Sequence, residues 1–161
     1  MPVKLIVGVA DMKVSTQADD VIVTHALGSC LGIAVHDPVA HVGGMLHVMM
    51  PQSDVNPEKA AANPYMFVDT GVPAFFREMM AFGGLKARMV VKVAGGANVQ
   101  ATIEDRFAIG KRNYLLLRKI FWKNNVMIKS EDVGGSCPRT MYLDIGTGRV
   151  WLNIGGAERE L

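Results

Sequence analysis

A cysteine and a histidine 17 positions apart, Cys30 and His47, are the two side chains of this 161-residue sequence best suited to covalent chemistry. Cysteine is nucleophilic as its thiolate, and at an ordinary pKa of about 8.5 only a few per cent is ionised near neutrality. An imidazole within reach takes the proton, and the resulting thiolate–imidazolium pair stabilises the charge. Gly28 and Ser29 directly precede Cys30, so the chain is expected to turn sharply there and to aim backbone N–H groups at a developing oxyanion. Nucleophile, base and oxyanion donors are the parts needed for acyl transfer.

Two strands and a turn must bring these groups together. Asp37-Pro38-Val39-Ala40 suits a type I turn, since proline presets φ at the second position and aspartate caps the bend. A two-residue loop of Pro38 and Val39 sets Cys30 directly opposite His47 and His36 opposite His41, and opposed Cβ atoms lie about 4.5–5.5 Å apart. In this register Leu31, Ile33, Val35, Val42, Leu46, Val48 and Met50 form one apolar face. The Cys30 face carries the small residues Gly32, Ala34 and Gly43, so one face is expected to pack and the other to admit a substrate. A slip by one residue would exchange the two faces.

Around this hairpin, strands are expected at 4–9, 21–24, 86–94, 126–131, 140–145 and 149–154, with a polar connection over 11–20. A helix over about 70–82 has Thr70 as N-cap, Pro73 in its first turn and a stripe of Val72, Phe75, Phe76, Met79 and Met80. A second, over about 109–124, gathers Tyr114, Leu117, Ile120, Phe121 and Asn124 on one face and ends in a left-handed turn at Asn124-Asn125. Its Lys111, Arg118, Lys119 and Lys123 are either a solvated face or a basic surface for an acidic helix bundle. The proline-rich stretch 51–64 reads as a loop, either a wall of the site or a surface crossover, and the tail 155–161 is expected to fray. The fold class that results is α/β: one layered domain over 1–161, with mixed β-sheets, a β-sandwich-like core and two to three outer helices.

Composition narrows the function. A formal net charge of +2 is too small to argue for nucleic acid, and no apolar run approaches the roughly 20 residues that span a bilayer. The beginning of the chain has no export signal, so a cytoplasmic protein with two thiols, Cys30 and Cys137, is expected; a disulfide between them would remove the nucleophile. No metal is expected either: His36 and His41 near the turn lie roughly 20 Å from Cys30 and His47 at about 3.3 Å per residue, too far for one ion. Neither Gly95-Gly96 nor Gly134-Gly135 belongs to a phosphate-binding motif, and Gly95-Gly96 alone reads as a turn.

The stretch V-T-H-A-L-G-S-C around Cys30, with H-V-M-M-P beginning at His47, resembles the signature of the CheD family, the chemoreceptor glutamine deamidases of bacterial and archaeal chemotaxis. Further matches follow in order: Ala94-Gly95-Gly96-Ala97, Ile109-Gly110 with Arg112-Asn113, Glu131-Asp132 with Gly134-Gly135, and Thr147-Gly148. The resemblance implies Cys30 as nucleophile, His47 as base and Thr24 as the group orienting the imidazole. Gly28, Ser29, Gly95 and Gly96 become oxyanion or substrate-loop residues. The implied activity is that of a protein-glutamine glutaminase, converting receptor glutamine to glutamate through a thioester without a cofactor, with glutamyl methyl esters as a chemically allowed second substrate. The implied partners are the cytoplasmic helices of methyl-accepting chemotaxis receptors and a CheC-type phosphatase. The alternative is a non-catalytic adaptor for the same partners, with the Cys30–His47 pair idle.

Overall fold

A computed structural model describes residues 3–99 and 107–161. Its centre is the hairpin of β4 (Leu31–Asp37) and β5 (Val42–Val48), in which every residue of both strands is buried. The pattern of small and apolar residues explains why: both faces are covered. Leu31, Ile33, Val35, Val42, Leu46 and Val48 pack against helices on one side. Ala34 and Met45 pack on the other side against residues of a second sheet. The Cys30 face is therefore not an open substrate surface over its length; along β4 and β5 it is the interior of a sandwich, and Cys30 itself is partly accessible.

The hairpin register differs from the expected one by two residues. Asp37 pairs with Val42, so the loop holds four residues, and His47 lies opposite Gly32 instead of Cys30. The cause is local: the Asp37 carboxylate accepts N–H bonds from Val39 at 2.9 Å and Ala40 at 3.1 Å, and His41 takes a left-handed φ of 56° to close the bend. Asp37 also pairs with Arg88 at 3.0 Å. Its burial pushes the carboxyl up, but Arg88 and the N–H groups of Leu85, Ala40 and Val39 outweigh this and hold it well below the usual range. His36 faces Gly43, not His41, and its Nε2 bonds Ile145 O at 2.8 Å.

β1 (Val3–Val7), β2 (Asp11–Ser15) and β3 (Asp20–Leu27) precede the hairpin. The connection expected over 11–20 thus contains a strand; Met12 and Val14 alternate toward the helix side, while Asp11 lies opposite His47. After β5 come 3-10 turns at Ser53–Val55 and Pro64–Met66, enclosing α1 (Pro57–Ala62). The stretch 51–64 is therefore not a bare loop: Asn56 caps α1 by accepting from Lys59 N at 3.1 Å, and Pro57 sits at the first helical position where its missing N–H is harmless.

α2 (Val68–Ala81) carries the expected stripe, although Met80 is exposed and Phe67, not Thr70, holds the N-cap position. Thr70 instead donates to Pro64 O at 2.6 Å, and Pro73 lies inside the helix. A 3-10 turn at Lys86–Arg88 leads into β6 (Val90–Gly95), so the strand starts later than expected. α3 (Ile109–Lys123), β7 (Ile128–Val133), β8 (Arg139–Asp144), β9 (Val150–Ile154) and β10 (Ala157–Glu160) complete the chain. The tail does not fray: Gly155 and Gly156, with φ of 59° and 88°, form a two-residue turn that returns β10 onto β9.

Among the described residues the strands form two mixed five-stranded sheets, β1-β3-β8-β9-β10 and β2-β5-β4-β6-β7. One core lies between the sheets, built from Val7, Ile22, Leu27, Met141, Leu143, Val150 and Leu152 against Ala34, Met45 and Ala94. The other lies between the second sheet and α2 and α3, around Phe75, Met79, Leu117 and Phe121. The result is the layered α/β architecture with a sandwich core.

Candidate functional site

The β3–β4 connection delivers Cys30. β3 pairs regularly with β8 up to Thr24, then shifts register before Leu27, with Ala26 between them at a φ of 56°. Leu27 has no exposed surface and re-anchors the chain in the inter-sheet core, so the bulge re-aims the segment that follows. Gly28, Ser29 and Cys30 then emerge partly accessible before β4 begins.

Thr24 and His47 meet across the sandwich. Both are buried, and Thr24 Oγ1 lies 2.7 Å from His47 Nδ1. The same hydroxyl donates its proton to Val7 O at 2.8 Å. Having donated there, it can only accept from His47, which fixes the proton on Nδ1 and leaves the lone pair on Nε2. Nε2 is buried with no hydrogen-bond partner among the described residues. Burial drives the His47 pKa down to about 4, against an opposing pull from the Asp11 carboxylate. The buried imidazole is therefore neutral near pH 7, of reduced basicity, and presents Nε2 as its acceptor atom.

Cys30 lies on the same side of the second sheet as His47, two residues before the glycine opposite it. Its side chain packs against the inter-sheet core that Ala34 and Met45 join. Cys30 directly precedes β4, whose next residue but one, Gly32, pairs with His47. Both cysteines are thiols, Cys30 partly accessible and Cys137 exposed.

The other expected site residues converge on the same loop. Gly96 N donates to Cys30 O and Ala97 N to Gly28 O, each at 2.8 Å. Gly95 has a φ of 111°, and a Cβ there would collide with Cys30 O, so glycine is required on both counts. Gly134 N in turn donates to Gly95 O at 2.9 Å. Arg139 reaches Gly95 O and Gly134 O and is held by Asp132 at 2.8 Å. Asn113 on α3 donates to Ser29 O. Arg139, Asp132, Asn113 and the Val7 carbonyl are participants that residue chemistry alone did not single out. Asn113 carried a visible signal, a polar side chain in line with Leu117 and Phe121 on the buried face of α3.

A cavity of about 320 Å³ opens beside this loop, with Gly96, Ala97, Gly110, Lys111, Tyr114 and Gly134 among its lining. Among the described residues no three His, Cys, Asp or Glu side chains are grouped to hold a metal ion, and no helix is long and apolar enough to cross a membrane. The constellation can perform nucleophilic substitution at a carbonyl, with a thiol, a neutral oriented imidazole and a tightly bonded backbone loop as its parts.

Comparison with known proteins places the chain in a family. Residues 49–154 match the family model described as CheD chemotactic sensory transduction. A protein of Solibacter usitatus named "Probable chemoreceptor glutamine deamidase CheD" is 46% identical over 98% of this chain and 93% of its own length. A Syntrophus aciditrophicus protein, "Probable chemoreceptor glutamine deamidase CheD 1", is 46% identical over 98% of both. The similarity extends to Pyrococcus abyssi, whose "Probable chemoreceptor glutamine deamidase CheD" is 37% identical over 93% of this chain and 92% of its own. Among solved structures, Neisseria meningitidis protein NMB0706, of the DUF152 family, superposes with a TM-score of 0.50 at 11% identity. It matches 84% of this chain, which spans 63% of that protein's length, and the likeness concerns the fold alone. A family match over most of the chain, with relatives aligned nearly end to end, identifies this protein as a member of the CheD family.

Proposed function

We propose that this chain hydrolyses the side-chain amide of glutamine residues on chemoreceptors, with Cys30 as nucleophile, His47 as base and Thr24 holding the imidazole. The observation that carries the reading is the buried relay Val7 O–Thr24 Oγ1–His47 Nδ1, which commits Nε2 to accepting a proton. The names of the relatives supply the substrate class.

Cys30 Sγ attacks the carboxamide carbon as its proton passes to His47 Nε2, giving a tetrahedral oxyanion beside the Gly28–Cys30 backbone. Collapse breaks the C–N bond, the proton moves from Nε2 to the departing nitrogen, and ammonia leaves a thioester. Water then gives a proton to Nε2 and attacks the thioester carbon; cleavage of C–S returns the proton to Sγ and leaves glutamate. Methanol can leave by the same route, so glutamyl methyl esters fall within this chemistry. Water is the sole co-reactant.

The test is incubation with a soluble cytoplasmic fragment of a chemoreceptor, followed by peptide mass analysis for glutamine converted to glutamate. Conversion by the wild type and none by Cys30→Ala is expected. Equal conversion by both would remove Cys30 from the chemistry, and none by the wild type would favour an adaptor.

A further inference from the structure

Asn113 has no exposed surface, yet it is a polar residue on the packed side of α3. Its side-chain nitrogen donates to two backbone carbonyls from different parts of the site, Ser29 O at 3.0 Å and Met49 O at 3.1 Å. Both groups are acceptors, so the carboxamide must present its amino side to them. Its Oδ1 is then buried with no partner among the described residues, a cost the fold sustains alongside the two donations.

Ser29 O belongs to the peptide unit that also contains the Cys30 N–H. In a trans peptide the C=O and N–H point in opposite directions, so drawing Ser29 O toward α3 aims the Cys30 N–H the other way. The following peptide unit is held by Gly96 N on Cys30 O at 2.8 Å. With both flanking planes fixed, the direction of the Cys30 side chain is fixed as well. Met49 lies two residues beyond His47, just past the end of β5. One amino group thus ties the loop bearing the thiol to the strand bearing the imidazole.

The geometry points to Asn113 as a positioning residue that sets the Ser29–Cys30 peptide and the spacing between the Cys30 loop and the His47 strand. This rests on the Cys30–His47 reading above and adds the device that holds the pair in register. It acts through its two hydrogen bonds and touches no reacting atom.

The experiment compares wild type with Asn113→Leu, which removes the donors at similar volume, and Asn113→Asp, which turns acceptors toward the two carbonyls. Two rates are read: alkylation of Cys30 by iodoacetamide from pH 5 to 9, and deamidation of a receptor fragment. For folded variants, alkylation at neutral pH and kcat are expected to fall at least about tenfold with KM unchanged, a split that packing loss alone does not produce. Folded variants that keep wild-type alkylation and kcat, whatever their melting temperature, would overturn the inference.

Should neither variant fold, the wild type carries the test. The Asn113 side-chain amide resonance is expected to exchange slowly and to shift when Cys30 is alkylated, and an unmoved resonance overturns the assignment. A wild type that deamidates nothing would end the Cys30–His47 reading itself, and this inference with it. A reactive wild type with equally reactive variants would end only the role of Asn113.

Discussion

The neutral His47 makes a quantitative demand on stability. Its folded pKa of about 4 lies below the ordinary 6.5 because burial penalises the imidazolium. In the unfolded chain the ring takes up a proton as pH falls through about 6.5, while in the folded protein it resists until about 4. Unfolding therefore binds a proton in this window, and stability drops as pH is lowered through it, by up to about 1.4 kcal/mol per pH unit. Integrated over the window, the loss is about 3 kcal/mol, and below pH 4 the contribution stops changing because both states are protonated. Asp37 and Asp11, held below their ordinary 3.8, lose their contributions at still lower pH and leave the window clear.

The assay is urea unfolding of the wild type and His47→Gln at half-unit steps from pH 7.5 to 4. The difference between the two proteins isolates the ring. With an m-value of about 2 kcal/mol/M, the wild-type midpoint should lose about 1.5 M more urea than the variant over this range. Parallel curves, within about 0.5 kcal/mol, would refute a desolvated neutral imidazole.

Further outcomes follow from the same contacts. Thr24→Val keeps shape but strips His47 Nδ1 and Val7 O of their shared hydroxyl, so a stability loss of about 1–3 kcal/mol and a fall in kcat of at least about tenfold are expected, with Thr24→Ser recovering most of both. Deamidation kinetics beside urea melts will check this, and a fully active Thr24→Val would exclude the relay. Gly95→Ala forces a Cβ into a φ of 111° and onto Cys30 O, so it should destabilise by more than about 1 kcal/mol and displace the Cys30 loop. Unchanged melting temperature and Cys30 alkylation would show that the loop is not held from Gly95.

Much of the site was legible because strand alternation fixes faces more firmly than it fixes register. The actual register is displaced by two positions from the expected one, and a two-residue shift preserves every face, so Cys30 and His47 stay on one side although Gly32 takes the facing place. The displacement was hidden because it depends on a histidine in a left-handed conformation, for which the sequence carries no glycine or asparagine as a marker. The second sheet was hidden for another reason. Strands such as 21–24 and 140–145 announce themselves locally, but nothing local says that Leu27 and Met141 lie over Ala34 and Met45.

Two further elements carry local signals of their own. Met12 and Val14 alternate within β2, and Gly155-Gly156 is a two-residue hairpin turn. Thr24 is the opposite case. The role proposed for it rests on the family pattern, because its contact with His47 spans two sheets.

That contact has a consequence for when the protein acquires its chemistry. Val7 and Thr24 belong to one sheet and His47 to the other, so the imidazole is steered only once the two layers have closed on each other. A nascent or half-assembled polypeptide carries the sulfur and the ring but has nothing to aim them. The orientation of the ring is thus a property of the closed sandwich, and it is lost when the layers part.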